Sequence, residues 1–151
     1  MRRIRTKLRL NYTELSERLQ DVAGWSINAV GIRRIESGER RVTPDDLMAL
    51  AFALGVSPIT LLMPDYDTLD KNDLVEVTGC AERVPAHRLW DWLRARQTLN
   101  HAYQDMDPYY AFITASEPRW IRLRRDEVFG EEMKKVRAKL FQDEELSDGD
   151  D

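Results

Sequence analysis

Between Asn11 and Pro64 the apolar side chains recur at helical spacing, and each run has its own start and stop residues. The most regular is Leu47, Leu50, Ala51 and Leu54, the i, i+3, i+4, i+7 stripe of one helix face. Thr43 supplies an N-cap oxygen, Pro44 sits where a missing N–H costs nothing, and Asp45 and Asp46 favour the positive helix end. Gly55 stops it, and Ser57-Pro58 opens a short helix over Ile59 to Met63 that adds Leu61 and Leu62 to the same core. Upstream, Asn11 with Glu14 three positions on forms a capping box for a helix over Tyr12 to Gln20 that buries Leu15 and Leu19. A turn-rich linker, Asp21 to Ser26, follows.

Asn28 caps the next helix and Gly38 ends it, leaving about two and a half turns from Ala29 to Ser37. At 100° per residue, Ile32, Ile35 and Glu36 fall on one side, and Val30, Arg33, Arg34 and Ser37 spread over the other. The apolar side must pack, so the arginine side faces outward. Gly31 costs about 1 kcal/mol relative to Ala in mid-helix, which close packing against the second helix would explain.

Beyond Pro64 the pattern loosens. Residues 65–73 are polar, carry Asp65, Asp67, Asp70 and Asp73, and are expected to be a linker. Leu74 to Thr78 alternates like a short strand, Ala86 to Arg96 has Leu89, Trp90 and Leu93 on one helix face, and Tyr109 to Thr114 is aromatic and β-branched enough for another strand. Asp126 to Phe141 returns to a helix with Val128, Phe129, Met133, Val136 and Leu140 as its stripe. That stripe either packs on its own domain or pairs across a two-fold dimer. Residues 143–151 are acidic and expected to be a disordered tail. The expected division is therefore a helical domain over 1–64, a linker over 65–73, an accessory or oligomerisation region over 74–142, and the tail.

Charge sharpens this division. The 151 residues carry a formal net charge of -4, yet the imbalance is local. Through Pro64 there are 10 Lys+Arg against 7 Asp+Glu; from Asp65 onward there are 13 against 20. Nucleic acid is expected to meet the first part, while the second stays away from phosphates or meets protein.

Residues Arg5 to Pro64 resemble the helix-turn-helix domain of the phage-repressor and xenobiotic-response-element regulators. Leu15-Ser16-Glu17-Arg18-Leu19, Ile32-Arg33-Arg34-Ile35-Glu36-Ser37-Gly38 and Leu50-Ala51-Phe52-Ala53-Leu54-Gly55-Val56-Ser57-Pro58 carry the likeness. It implies a mainly α fold: five helices, with the one from Tyr12 second and the one from Ala29 third and groove-reading, followed by a smaller α+β or helical accessory region. It also implies base contacts from Asn28, Ala29, Val30 and Arg34, often with Arg33 beside them. Phosphate contacts are implied near Tyr12, Ser37, Arg40 and Arg41, and a structural ion pair between Arg5 and Glu36. The chain departs from the simplest members in one respect, a linker between the second and third helices several residues longer.

Physical chemistry gives these residues matching roles. Arg34 can donate two hydrogen bonds to guanine O6 and N7, worth roughly 1 to 3 kcal/mol of discrimination, while Arg40 and Arg41 suit phosphates. Taken alone, Arg33, Arg34, Arg40 and Arg41 would fit a solvated basic face equally well. Trp90, Trp92 and Trp120 are expected in a core or interface, since no regular basic spacing makes them a stacking platform.

Little points to catalysis, and no enzyme activity, cofactor or metal is expected. Cys80 is the one cysteine, and its pairing with His87 seven residues on is more often coincidence than nucleophile and base. No glycine-rich phosphate loop, paired-His helix, 18-residue apolar run or signal pattern occurs, so a cytoplasmic location is expected. Two functions fit. One is a sequence-specific regulator of double-stranded DNA, a repressor of phage or bacterial origin that acts as a possible homodimer. The other is an antitoxin or adaptor whose C-terminal region binds a protein partner.

Overall fold

The computed structural model describes residues 1–64, 68–99 and 106–131. They are mainly helical, with one two-stranded antiparallel sheet. Five helices come first: α1 (Arg2–Lys7), α2 (Tyr12–Ala23), α3 (Ala29–Glu36), α4 (Pro44–Leu54) and α5 (Pro58–Leu62). Their core is Ile4, Leu15, Leu19, Ile27, Ile32, Ala49, Leu50, Ala53 and Leu54. These residues close the apolar faces of α1 to α4 on one another, and Leu61 of α5 packs against them. Leu62 departs from expectation: it is 51 % exposed, because a single short turn cannot aim two adjacent side chains inward.

The capping signals of α2, α3 and α4 work as chemistry predicts, whereas Ser57 makes no side-chain cap hydrogen bond at the start of α5. Asn11 accepts hydrogen bonds from the Thr13 and Glu14 amides, and Glu14 in turn accepts one from the Asn11 amide at 2.7 Å. Thr43 and Asp46 make the same reciprocal box at the start of α4. The second helix runs three residues past the expected Gln20, because its true stop is Gly24 in the left-handed conformation (φ 60°). There the Gly24 and Trp25 amides close back on the Gln20 and Leu19 carbonyls. The α2–α3 linker is thus five residues, 24–28. Ile27 within it is buried, and its carbonyl accepts a 2.8 Å hydrogen bond from the Ser16 hydroxyl.

Two compact units divide the chain, Met1–Arg94 and Ala95–Asp151. The first holds α1 to α5 together with the hairpin and the next helix, so the segment up to Arg94 clusters with the five helices. The strand expected over Leu74 to Thr78 is only β1 (Leu74–Val75), paired with β2 (Val84–Pro85), for which no strand was expected. An exposed Arg83–Glu76 pair at 2.8 Å spans the hairpin loop. The following helix, α6 (Ala86–Leu93), is shorter than expected; Arg94 caps it and Ala95 turns left-handed. It buries Ala86 and Leu89, while Trp90 and Trp92 stay at the surface, contrary to a core role, with the Arg94 guanidinium 5.3 Å from the Trp90 ring centre.

In the second unit, α7 (Met106–Ser116) replaces the strand expected over Tyr109 to Thr114. Tyr109, Phe112 and Ile113 lie at i, i+3 and i+4, and Ile113 is buried, so helical periodicity outweighs β-propensity there. The last helix begins at 119, earlier than the expected Asp126. Arg122 donates to the Thr114 carbonyl and Arg125 pairs with Glu117, both holding that helix to the end of α7. Trp120 is exposed. Most of the stripe expected through Leu140, the acidic tail and the first linker residues 65–67 lie outside the described residues.

Candidate nucleic-acid interface

The outward surface of α3 starts with its cap. The Asn28 side-chain oxygen accepts the Gly31 amide at 2.7 Å, which fixes the first turn. Ile32 is fully buried and Ile35 half-buried, so Val30, Arg33, Arg34 and Ser37 are turned to solvent as the 100° projection requires. Arg33 and Arg34 form no ion pair among the described residues. Ala29, Val30 and Arg33 share a shallow cleft with Asn11, Tyr12 and Thr13 from the start of α2. One surface therefore combines the outward side of α3 with a helix N-terminus, the partial positive charge that phosphates favour.

Behind that surface, Arg5 grips Glu36 with two hydrogen bonds of 2.9 Å. A third N–H reaches the Leu10 carbonyl at 2.7 Å, and the guanidinium lies 4.3 Å from the Tyr12 ring centre. The Glu36 side chain is entirely buried, and Arg2 adds an outer contact at 3.4 Å. Burial by itself would push the Glu36 carboxyl up; the Arg5 hydrogen bonds and charge, with Arg2 and Tyr12, outweigh it and hold the group below the ordinary carboxylate range. The pair joins α1 to the end of α3. Tyr12, expected near phosphate, also packs within this cluster.

A second network was not foreseen. Asp46 is buried at 3 % exposure and accepts from the Trp25 indole N–H at 2.9 Å, the Thr43 amide at 3.2 Å and the Arg40 guanidinium at 3.2 Å. Burial would raise this carboxyl, but Trp25, Thr43 and Arg40 together hold it low. Asp46 read in sequence only as a residue favouring the positive helix end, and Trp25 as part of a linker. The one available hint was a tryptophan in a polar turn with no stripe to join.

The remaining expected phosphate residues separate. Ser37 is exposed and donates to the Arg34 carbonyl at 3.2 Å, and Arg41 is exposed with no ion pair among the described residues. Arg40 instead turns toward Asp46. Gly31 is also explained differently than expected: a β-carbon there would stand 2.8 Å from Arg40 Nη1, 3.0 Å from Ile27 Cγ2 and 3.3 Å from Asn28 Oδ1, so the nearest approaches are to these side chains.

Elsewhere, His87 Nδ1 lies 2.8 Å from the Lys71 carbonyl, which gives the ring a structural hydrogen bond. Among the described residues no group of three or more metal-ligating side chains occurs, and no helix is long and apolar enough to cross a membrane.

Residues 1–61 match the family model described as Helix-turn-helix. This part of the chain is a helix-turn-helix domain of the xenobiotic-response-element type, a match that supports a DNA-binding transcription regulator. No curated protein and no solved structure matches the chain.

Proposed function

We propose that the protein reads a specific double-stranded DNA sequence with α3 and represses transcription by occupying an operator. The outward face of α3 carries this reading: Arg33 and Arg34 are exposed beside Val30, on a helix fixed from behind by Ile32 and the Arg5–Glu36 pair. A helix of this diameter enters a major groove about 12 Å wide, where a guanidinium can address guanine with two donors. Asn28 keeps its side-chain oxygen on the cap, so its amide nitrogen is the atom left to address a base. Ala29 and Val30 offer apolar contact to thymine methyls, and Arg41 with Ser37 and the start of α2 would meet backbone phosphates.

Selection of bound fragments from random duplex DNA tests this directly, followed by titration of variants on the selected site. Arg34→Ala is expected to lose about 1 to 3 kcal/mol of preference between selected and scrambled duplexes. Arg41→Ala should weaken both duplexes alike and lower the slope of log K against log salt by about one unit. A library from which no sequence is enriched sinks the proposal. A palindromic selected site would add a symmetric dimer to it.

A further inference from the structure

We infer that Arg40 is a positioning residue for the reading helix and not a phosphate contact; this rests on the DNA-reading role proposed above. The backbone sets the stage. After α3 ends, the Glu39 and Arg40 amides both return to the Arg34 carbonyl, at 2.8 and 3.1 Å, which folds the chain back along the helix it has just left. The Arg40 side chain then crosses the first turn of α3 at Gly31, where a side chain would collide with Nη1. Its Nη2 ends on both oxygens of Asp46, at 3.4 and 3.2 Å.

Asp46 connects the two ends of the reading helix. The Trp25 indole whose N–H it accepts belongs to the linker before α3, while Arg40 and Thr43 belong to the loop after it. A single buried carboxylate thus holds both flanks of α3, and the glycine allows the cation to lie across the helix backbone between them. For Arg40 to swing out to a phosphate it would have to leave a buried carboxylate without its charge partner, a costly exchange for a contact that water screens. Arg41, one residue on, is exposed and faces no such choice. The same network helps to tie down the five-residue α2–α3 linker through Trp25, beside the buried Ile27.

Duplex binding by the full chain, measured against salt on selected and scrambled DNA, separates the two roles for Arg40→Met, Trp25→Phe and Arg41→Ala. Trp25→Phe removes the indole N–H and changes no charge. Arg40→Met and Trp25→Phe are each expected to reduce sequence preference about tenfold with the wild-type salt slope, whereas Arg41→Ala lowers the slope by about one unit. Amide hydrogen exchange in DNA-free protein should quicken at the first turn of α3 in the first two variants and stay unchanged in Arg41→Ala. A salt slope reduced by about one unit in Arg40→Met with preference intact overturns the inference. So does unchanged exchange at α3 in both Arg40→Met and Trp25→Phe. A wild-type protein that binds no duplex would sink the DNA-reading proposal, while the exchange measurement still decides whether Arg40 holds the helix.

Discussion

At the level of single residues, the arrangement behind α3 depends on two buried carboxylates whose donors outweigh the cost of their burial. Glu36 and Asp46 both titrate lower in the folded chain than in the unfolded one. On acidification the unfolded chain therefore takes up protons first. The stability they contribute is fully present above the ordinary carboxylate range of about pH 4 to 4.5, and is lost as pH falls through the lower folded values. Glu36→Gln keeps an acceptor for Arg5 but removes the charge, so it is expected to cost about 1.5 to 3 kcal/mol at neutral pH. Urea titrations of variant and parent should begin to converge as pH drops below the ordinary carboxylate range, where the unfolded chain protonates first, and meet only below the lowered folded value. A difference that stays constant down to about pH 3, well below the ordinary carboxylate range, would mean that the charge of Glu36 does not matter. Of the two networks, the Arg5–Glu36 pair was reachable through family resemblance. The Asp46 network was not, because Trp25, Arg40 and Asp46 come from three segments whose juxtaposition no local pattern encodes.

At the scale of elements, start signals were more legible than stop signals. Asn11, Asn28 and Thr43 bond to amides only two or three residues away, so their caps need nothing distant. The end of α2 was harder to see, since Asp21 to Ala23 include a polar and a small residue yet remain helical until Gly24. Gly24 holds φ 60° with open space where a β-carbon would stand, so any substitution cost there is purely conformational. Gly24→Ala is expected to destabilise the protein by about 1 kcal/mol and Gly24→Asn by less, because asparagine tolerates the left-handed region. Equal or greater stability of Gly24→Ala in urea would show that the α2 stop is not set by this residue. The α7 segment shows the opposite failure. Aromatic and β-branched content suggested a strand, but burial of Ile113 with Tyr109 and Phe112 alongside requires the helical period.

For the whole molecule, the boundary between the two compact units falls at Arg94. The hairpin and α6 belong to the same compact unit as α1 to α5, although the family match ends at residue 61. A chain ending at Arg94 is therefore expected to unfold in one cooperative transition and to retain duplex binding. A chain ending at Pro64 should be less stable, as measured by thermal unfolding followed by circular dichroism. Equal midpoints for the two would show that residues 68–94 contribute nothing to the first unit. Charge does not follow this division: through Pro64 there are 10 Lys+Arg against 7 Asp+Glu, but through Arg94 there are 14 against 14, so part of the acidic excess lies within the first unit.

By itself the sequence determined the order of α2 to α5, the caps of α2 to α4, and which side of α3 faces solvent, because each follows from periodicity and hydrogen bonds within a few residues, while α1 was implied by the family resemblance. Only the tertiary structure decided how α3 is braced. Which arginine is committed to Asp46 and which remains outward depends on where linker, loop and helix meet, and adjacent residues such as Arg40 and Arg41 carry the same chemistry until packing separates them.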